Sequence, residues 1–452
     1  LPTDGPTLQP TATRPPFTPL PEISPNDFLL YRVQTGDTLE LIAQRFSVPI
    51  EDLIKLNGLD DGQPVKADEI IFVPARYQQT GPDFRVIPDS ELVYSVGVAG
   101  FDVEKFVQQQ GGYLARHQEL VRGGLRSGGE IVKMVALDNS VSPRLLLALL
   151  EYQSGWVTNP AEPADKLNPI YNNPQRQGLF NQLDWLADNL NLGYYRYREN
   201  KVTVIDFPTG TQYKIAPTLN AGTVSLQYAY SRLYPEAEWQ NIIGPNGVYA
   251  TYVKLFGDPF EKAIEPLIPT GMTQPELRLP FDNTWLFIGG PHAAWEAGSP
   301  WAALDFAPPS VAAGCLPSDQ WVLAPAAGLI TRSQFGVVVI DLDGDGREQS
   351  GWAVMLLHIA SEGRIPVGRN VEAGDPLGHP SCEGGRATGT HTHIARKFNG
   401  EWIPAEGSIP FNLSGWVAHF GAREYKGTLT KADDVVTACE CSAEVSGISV
   451  NR

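Results

Sequence analysis

The spacing of apolar residues divides the chain into a short mixed segment, a long helical one and a β-rich one. In the first, Leu39, Ile42, Ala43 and Phe46 recur at helical spacing behind a capping Thr38, and Leu53, Ile54 and Leu56 mark a second helix. Short apolar runs at Tyr31–Val33 and Ile70–Val73 flank the pair, which predicts a strand–helix–helix–strand unit. From Phe101 to about Phe256 helical spacing takes over, at 102–110, 129–138, 143–152, 178–192, 224–234 and 247–256. Ser142-Pro143 opens one of these helices with a cap and a first-turn proline. Beyond about residue 280 the pattern changes to short β-branched and aromatic runs at 285–288, 302–306, 321–324, 336–342, 352–359 and 391–398. Asn399-Gly400 then predicts a tight hairpin that folds the last run back into Glu401–Ile403.

The intervening stretches read as a Pro/Thr-rich linker (1–28), connectors (77–100 and 259–280) and a C-terminal tail (426–452). A chain of 452 residues exceeds one ordinary core and implies two to four domains. The opening tract is of the kind that tethers domains outside the cell, and Leu1 reads as the start of a processed form. A net charge of −17 excludes a nucleic-acid footprint, which needs a basic face. No apolar run approaches the ~18–20 residues of an integral membrane segment. The four cysteines all follow residue 310 and suit an oxidising compartment, with metal binding as their competing use. Cys315 and Cys382 are the expected bridge, whereas Cys439 and Cys441 would be strained if paired with each other. The expectation is an extracellular monomer.

Scarcity singles out the candidate chemistry. Of seven histidines, five (His292, His358, His379, His391 and His393) lie between residues 290 and 395, while His117 and His419 read as structural or solvated. In a strand, His391 and His393 share a face. Asp305 interrupts the apolar run Trp301–Ala307, where a carboxylate is costly unless paired or bound to a metal. His358 does the same within Met355–Ile359, and His292 follows the turn Gly289-Gly290-Pro291. Each alone reads equally as a hydrogen-bonded core polar group; together they favour a site. The acidic run from Asp341 to Gly346 begins like a calcium loop but has Trp352 where an EF-hand places a bidentate Glu, so it reads as a hairpin tip.

Three resemblances follow from these residues. Residues 29–76, with Gly36-Asp37-Thr38-Leu39 and Asn57-Gly58, resemble a LysM domain, which implies a small βααβ fold that binds N-acetylglucosamine-containing glycans such as peptidoglycan. Val141–Trp156 resembles the lysozyme-like lytic transglycosylases, implying an all-α domain over 101–258 with Gln153 where that family places its catalytic Glu. Glutamine cannot protonate a glycosidic oxygen, and Glu151 lies roughly 200° round the helix, so this domain is expected to be inactive, with Tyr194, Tyr195 and Tyr197 as candidates for a glycan cleft.

Residues 281–425 resemble the β-lytic and staphylolysin type of the lysostaphin-like zinc endopeptidases, antiparallel all-β enzymes that cut cell-wall peptides. His292 and Asp305 stand at that branch's spacing, His393 ends the His-x-His and His358 precedes it; Trp301 departs from the commoner lysostaphin branch. The resemblance implies Zn²⁺ held by His292, Asp305 and His393, with no other cofactor. His391 would take a proton from water, and His358 would hydrogen-bond the oxyanion or protonate the leaving amine, roles that could be exchanged.

The expected protein is thus multidomain, a secreted zinc metalloendopeptidase that is targeted to peptidoglycan by LysM and cuts next to glycine and small residues. Enzymes of this type are often made with pro-regions, and the 258–280 connector is expected to be a cleavage site. The alternatives are an inactive peptidoglycan-binding or regulatory protein, and a glycosidase for which Gln153 is the obstacle.

Overall fold

The computed structural model describes residues 28–60, 62–74, 80–309, 314–439 and 444–449; the tract 1–27 and Cys441 lie outside the described residues. The strands Phe28–Arg32 and Ile70–Pro74 pair antiparallel, and between them run the helices Leu39–Phe46 and Ile50–Asn57. Thr38 accepts a hydrogen bond from Leu41 N, and Gly58, at φ 62°, closes the second helix in a conformation that favours glycine. Tyr31, Ile42, Phe46, Leu53 and Val73 form the core.

The helical segments fold as Val103–Gln110, Gly128–Asn139, Pro143–Ser154, Leu179–Arg198, Ala221–Ser231 and Val248–Phe256. Two hairpins, Gln118–Val121 with Gly124–Ser127 and Val204–Asp206 with Gln212–Lys214, depart from the all-α expectation. The first turns on Arg122 and Gly123, both at positive φ, and its strands of four residues are too short for alternation to reveal. The connector 77–100 is not free either: Val86, Ile87, Leu92 and Val98 are buried in the helical core. Glu151 accepts from Val157 N and Thr158 N, both at 3.0 Å, so its carboxylate closes the turn after its own helix. Gln153 accepts from the Tyr234 hydroxyl at 2.7 Å. Tyr194, Tyr195 and Tyr197 are buried packing residues, which corrects their reading as cleft-lining groups.

The β-rich region forms a nine-stranded antiparallel sheet. Its order runs Asn370–Val371, Gly328–Gln334, Val337–Asp341, Trp352–Leu357, Thr392–Phe398, Trp301–Ala307, Trp285–Ala293, Gly447–Ile448, with Glu401–Trp402 added to Thr392–Phe398. Asn399 and Gly400, at φ 48° and 80°, make the expected hairpin turn. A second, four-stranded sheet joins Asn412–Leu413, Trp416–Phe420, Gly427–Lys431 and Asp434–Thr437. Residues assigned to a tail from 426 onward are therefore part of the β domain, and Leu429 and Val436 enter its core. The bridge Cys315–Cys382 forms as expected.

Strand alternation gives the large sheet two buried faces. Leu304, Phe306, Val338, Ile340, Val354, Leu356 and Ile394 fill the β-domain core on one side. Ala303, Val337, Val339, Ala353, Met355, Leu357 and Ala395, on the other, pack into the helical core. Polar contacts tie the two: Asp138 to Arg332 at 2.9 Å, Gly298 N to Asp188 Oδ1 at 2.6 Å, and Trp402 N to the Tyr195 hydroxyl at 3.0 Å. The βααβ unit rests on the same helices, through Gln34 Nε2 to Leu219 O at 2.8 Å and Arg45 over the Tyr197 ring at 4.6 Å. No helix among the described residues is long and apolar enough to cross a membrane.

Candidate metal centre

Adjacent strands bring the site together. His393 pairs directly with Asp305, and Leu357, next to His358, pairs with His393 on the other side. His292 lies opposite Ala303, past a register shift in the Trp285–Ala293 strand. Gly289 sits against Asp305: a Cβ there would lie 2.6 Å from Asp305 Oδ2. The Gly289-Gly290 pair thus lets the first strand pass close to the carboxylate.

Ligand atoms of His292, Asp305 and His393 all lie within 4.8 Å of one another. His292 Nε2 is 3.3 Å and His393 Nδ1 3.2 Å from Asp305 Oδ1, and the two nitrogens are 3.0 Å apart. The other ring nitrogens settle what faces the centre. His292 Nδ1 meets Gly290 O at 2.9 Å, and His393 Nε2 meets Ala294 O at 3.0 Å. A carbonyl only accepts, so both of these nitrogens carry the hydrogen. In the neutral rings the two facing nitrogens are then both lone pairs, pointed at each other and at a buried carboxylate oxygen that has no hydrogen-bond partner among the described residues. A cation between them removes that conflict, and ligands of a tetrahedral zinc with bonds near 2.0–2.1 Å stand about 3.3 Å apart. The donor set fits such an ion, with the carbonyls as its outer support.

His391 and His358 complete the centre. His391 Nδ1 donates to Gly389 O at 2.7 Å and His358 Nδ1 to Glu383 O at 2.8 Å, leaving both Nε2 atoms free of those bonds. Their rings are 4.4 Å apart, and His391 Nε2 is 3.9 Å from Asp305 Oδ1. His358 adopts φ 66°, a left-handed conformation that costs a histidine energy. Burial, with His391 and His393 beside it, pushes the His358 imidazole down to about 3, so it is neutral at ordinary pH. Burial also lowers His393, against the pull of Asp305. For His292 burial is outweighed by the charge of the adjacent Asp305, and its pKa is raised. Burial would raise Asp305, but His292, His393 and His391 together hold its carboxyl well below the usual range.

All five sequence-derived residues therefore converge, while His379 does not: it packs against Trp321 with ring centroids 4.0 Å apart. His117 packs on Tyr113 and Trp156, and His419 bonds Thr430, as structural histidines. Tyr425, stacked on His292 at 4.2 Å, carried no signal in the sequence, because only the fold brings the Gly290 and Tyr425 segments together. Asp341, of the acidic run, accepts from Gly346 N at 2.7 Å and Asp343 N at 3.2 Å, the bonding of a hairpin tip.

Residues 31–74 match the LysM domain model, and residues 85–269 match the model of the LasA N-terminal domain. Protease LasA of Pseudomonas aeruginosa, from two strains, is 24% identical over 345 residues, which cover 71% of this chain and 75% of the relative. The chain is similar to protease LasA over most of its length and carries a segment that matches the LysM domain. Among solved structures, the M23 metalloprotease pseudoalterin from the deep sea is 22% identical and covers 36% of this chain and 96% of its own, with a TM-score of 0.31. A zinc-containing peptidase from Vibrio cholerae is 18% identical, covering 30% of this chain and 41% of its own at a TM-score of 0.23. The lysostaphin catalytic domain from Staphylococcus simulans is 19% identical, covering 27% and 89% at 0.20. The helical region matches the LasA N-terminal model, and the lysozyme-like reading of it is not confirmed.

Proposed function

We propose that the chain is a zinc metalloendopeptidase that hydrolyses peptide cross-links of peptidoglycan outside the cell, with LysM holding it on the glycan strands. The observation that carries this is the convergence of His292, Asp305 and His393, lone pairs inward, beside two further imidazoles. Zinc, when bound, supplies Lewis-acid polarisation of the scissile carbonyl and of the attacking water. His391, its Nδ1 fixed on Gly389 O, presents Nε2 to accept the proton of that water. His358, kept neutral by burial and fixed on Glu383 O, presents Nε2 to the developing oxyanion or the leaving amine. LysM on the same chain as a LasA-like peptidase domain supports the cell wall as substrate.

The five site residues are only 3–8% exposed, and the sheet face that carries them packs against the helical domain. That supports latency in the intact chain, with a cut in the connector 259–280 as the first step of its release. Elemental analysis tests the centre: about one zinc per chain, lost in Asp305→Ala, is expected together with release of new amino ends from purified walls. No zinc after incubation with the metal would leave the wall-binding, regulatory reading in its place.

A further inference from the structure

The face of the sheet that carries His393 continues along the same strand to Ala395 and Lys397, and Lys397 is wholly buried. Lys397 Nζ donates to Glu348 at 2.8 Å, and Arg332 Nη2 donates to the same carboxylate at 3.0 Å. The β domain therefore sets two cations against one anion here. The balancing charge comes from the helical domain: Asp138, on Gly128–Asn139, accepts from Arg332 Nη1 at 2.9 Å and is held from behind by Arg122 at 2.7 Å. Arg332 Nε, also buried, has no hydrogen-bond partner among the described residues. A guanidinium is built to take a carboxylate with two parallel N–H groups, and Asp138 engages only one of them.

We propose that Arg332 and Lys397 form a subsite for a carboxylate of the substrate peptide, and that Asp138 of the helical domain occupies it in the intact chain. This rests on the peptidase reading of the neighbouring centre. Lys397 lies four positions along the strand from His393, about 13 Å at the ~3.3 Å rise of a strand, so the recognised carboxylate lies about four residues from the scissile bond of an extended peptide. The stem peptides of a cell wall, with free acidic side groups and chain ends, have that chemistry. Glu348 keeps the two cations in place when Asp138 leaves and prevents them from repelling each other.

Two measurements on the full chain test this. Asp138→Gly leaves a carboxylate-sized gap: formate should restore its lost melting temperature while formamide does not, and formate should do nothing for wild type or for Asp138→Gly with Arg332→Met. Equal shifts from formate and formamide, or a formate effect that survives Arg332→Met, overturn the subsite. In the second measurement the full chain is clipped in the connector, its helical fragment is digested further, and it is offered glycine-containing peptides that differ only in Glu or Gln four residues from the cut. The KM for the Glu peptide should be at least ten-fold lower, with kcat alike, and Arg332→Met or Lys397→Met should reduce the ratio below two-fold, whereas Arg332→Lys should retain part of it. Equal KM values in wild type overturn the substrate assignment. If neither peptide is cut, the peptidase reading fails, and the formate result still decides whether a carboxylate site exists.

Discussion

At the scale of single residues, function here depends on which ring nitrogen carries a hydrogen. Gly290 O and Ala294 O fix the tautomers of His292 and His393, so two lone pairs converge on Asp305. Asp305→Asn keeps the shape but removes the charge, and it is expected to lower zinc occupancy at least ten-fold, read by metal analysis after dialysis against a weak chelator. His391→Ala tests a different role: zinc stays near one per chain while wall hydrolysis falls ~10²–10⁴-fold, as for loss of a general base. Loss of metal with His391→Ala would make it a ligand instead. These residues were legible in the sequence because histidine is scarce and clustered here, His391 and His393 stand two apart, and Asp305 and His358 are polar groups where a strand should be apolar. Asp305 within Trp301–Ala307 and His358 within Met355–Ile359 break their own pattern, and such a break marks a site. Tyr425 obeyed no local pattern and broke none, so only the fold could reveal it. Tyr194, Tyr195 and Tyr197 misled for the same reason, since aromatic residues on a helix have one spacing whether they line a cleft or fill a core.

At the scale of elements, the long strands and helices declared themselves, and the short pieces did not. Thr392–Phe398 with its Asn399-Gly400 turn was legible, whereas Asn370–Val371 and Gly447–Ile448 are two residues each and owe their pairing to neighbours. Gly328–Gln334 was missed because Thr331 to Gln334 places polar groups on both faces, and the reason is the inward Arg332. That buried cation gives the sheet a pH response. Burial alone would raise the Glu348 pKa, but Arg332 and Lys397 more than offset it and the pKa is lowered. A carboxyl depressed in the folded state adds stability that is full above its unfolded value near ~4.3 and is lost as pH falls through the folded one. Glu348→Gln should therefore melt well below wild type at pH 7, and the gap should close as pH falls below about 4. A gap constant from pH 3 to 7 would remove Glu348 from the acid response. The disulfide acts on another element: Cys315–Cys382 closes a loop spanning 67 positions, and Cys382 adjoins Glu383, whose carbonyl orients His358. Reduction is expected to cost ~2–4 kcal/mol of stability in a denaturant titration, and to lower activity before the chain unfolds.

At the scale of the whole molecule, one sheet serves two cores. Its far face completes the β domain, and its near face, with the metal centre, is covered by helices 103–256. The sequence reading divided these into separate domains because patterning reports which residues are buried but not against what. The connector shows the same coupling: Leu267 belongs to the helical core, Leu277 and Leu279 to the β core, and Asn399 Nδ2 donates to Leu267 O at 2.8 Å. A cut between Leu267 and Leu277 frees the two bodies covalently yet leaves the interface of Ala303, Val339, Met355 and Ala395 in place, so cutting alone should not switch on the enzyme fully. The expected course has two stages. Clipping the connector of the full chain produces two fragments that still co-elute, with wall hydrolysis raised only modestly. Charge loss at Asp138 or further digestion of the helical fragment then raises it by at least ten-fold more. If the intact chain already hydrolyses walls as fast as the fully digested one, the buried centre opens without cleavage and the helical domain is no inhibitor. If clipping alone gives full activity, the interface dissociates unaided, and its apolar area contributes less than the covered sheet face implies.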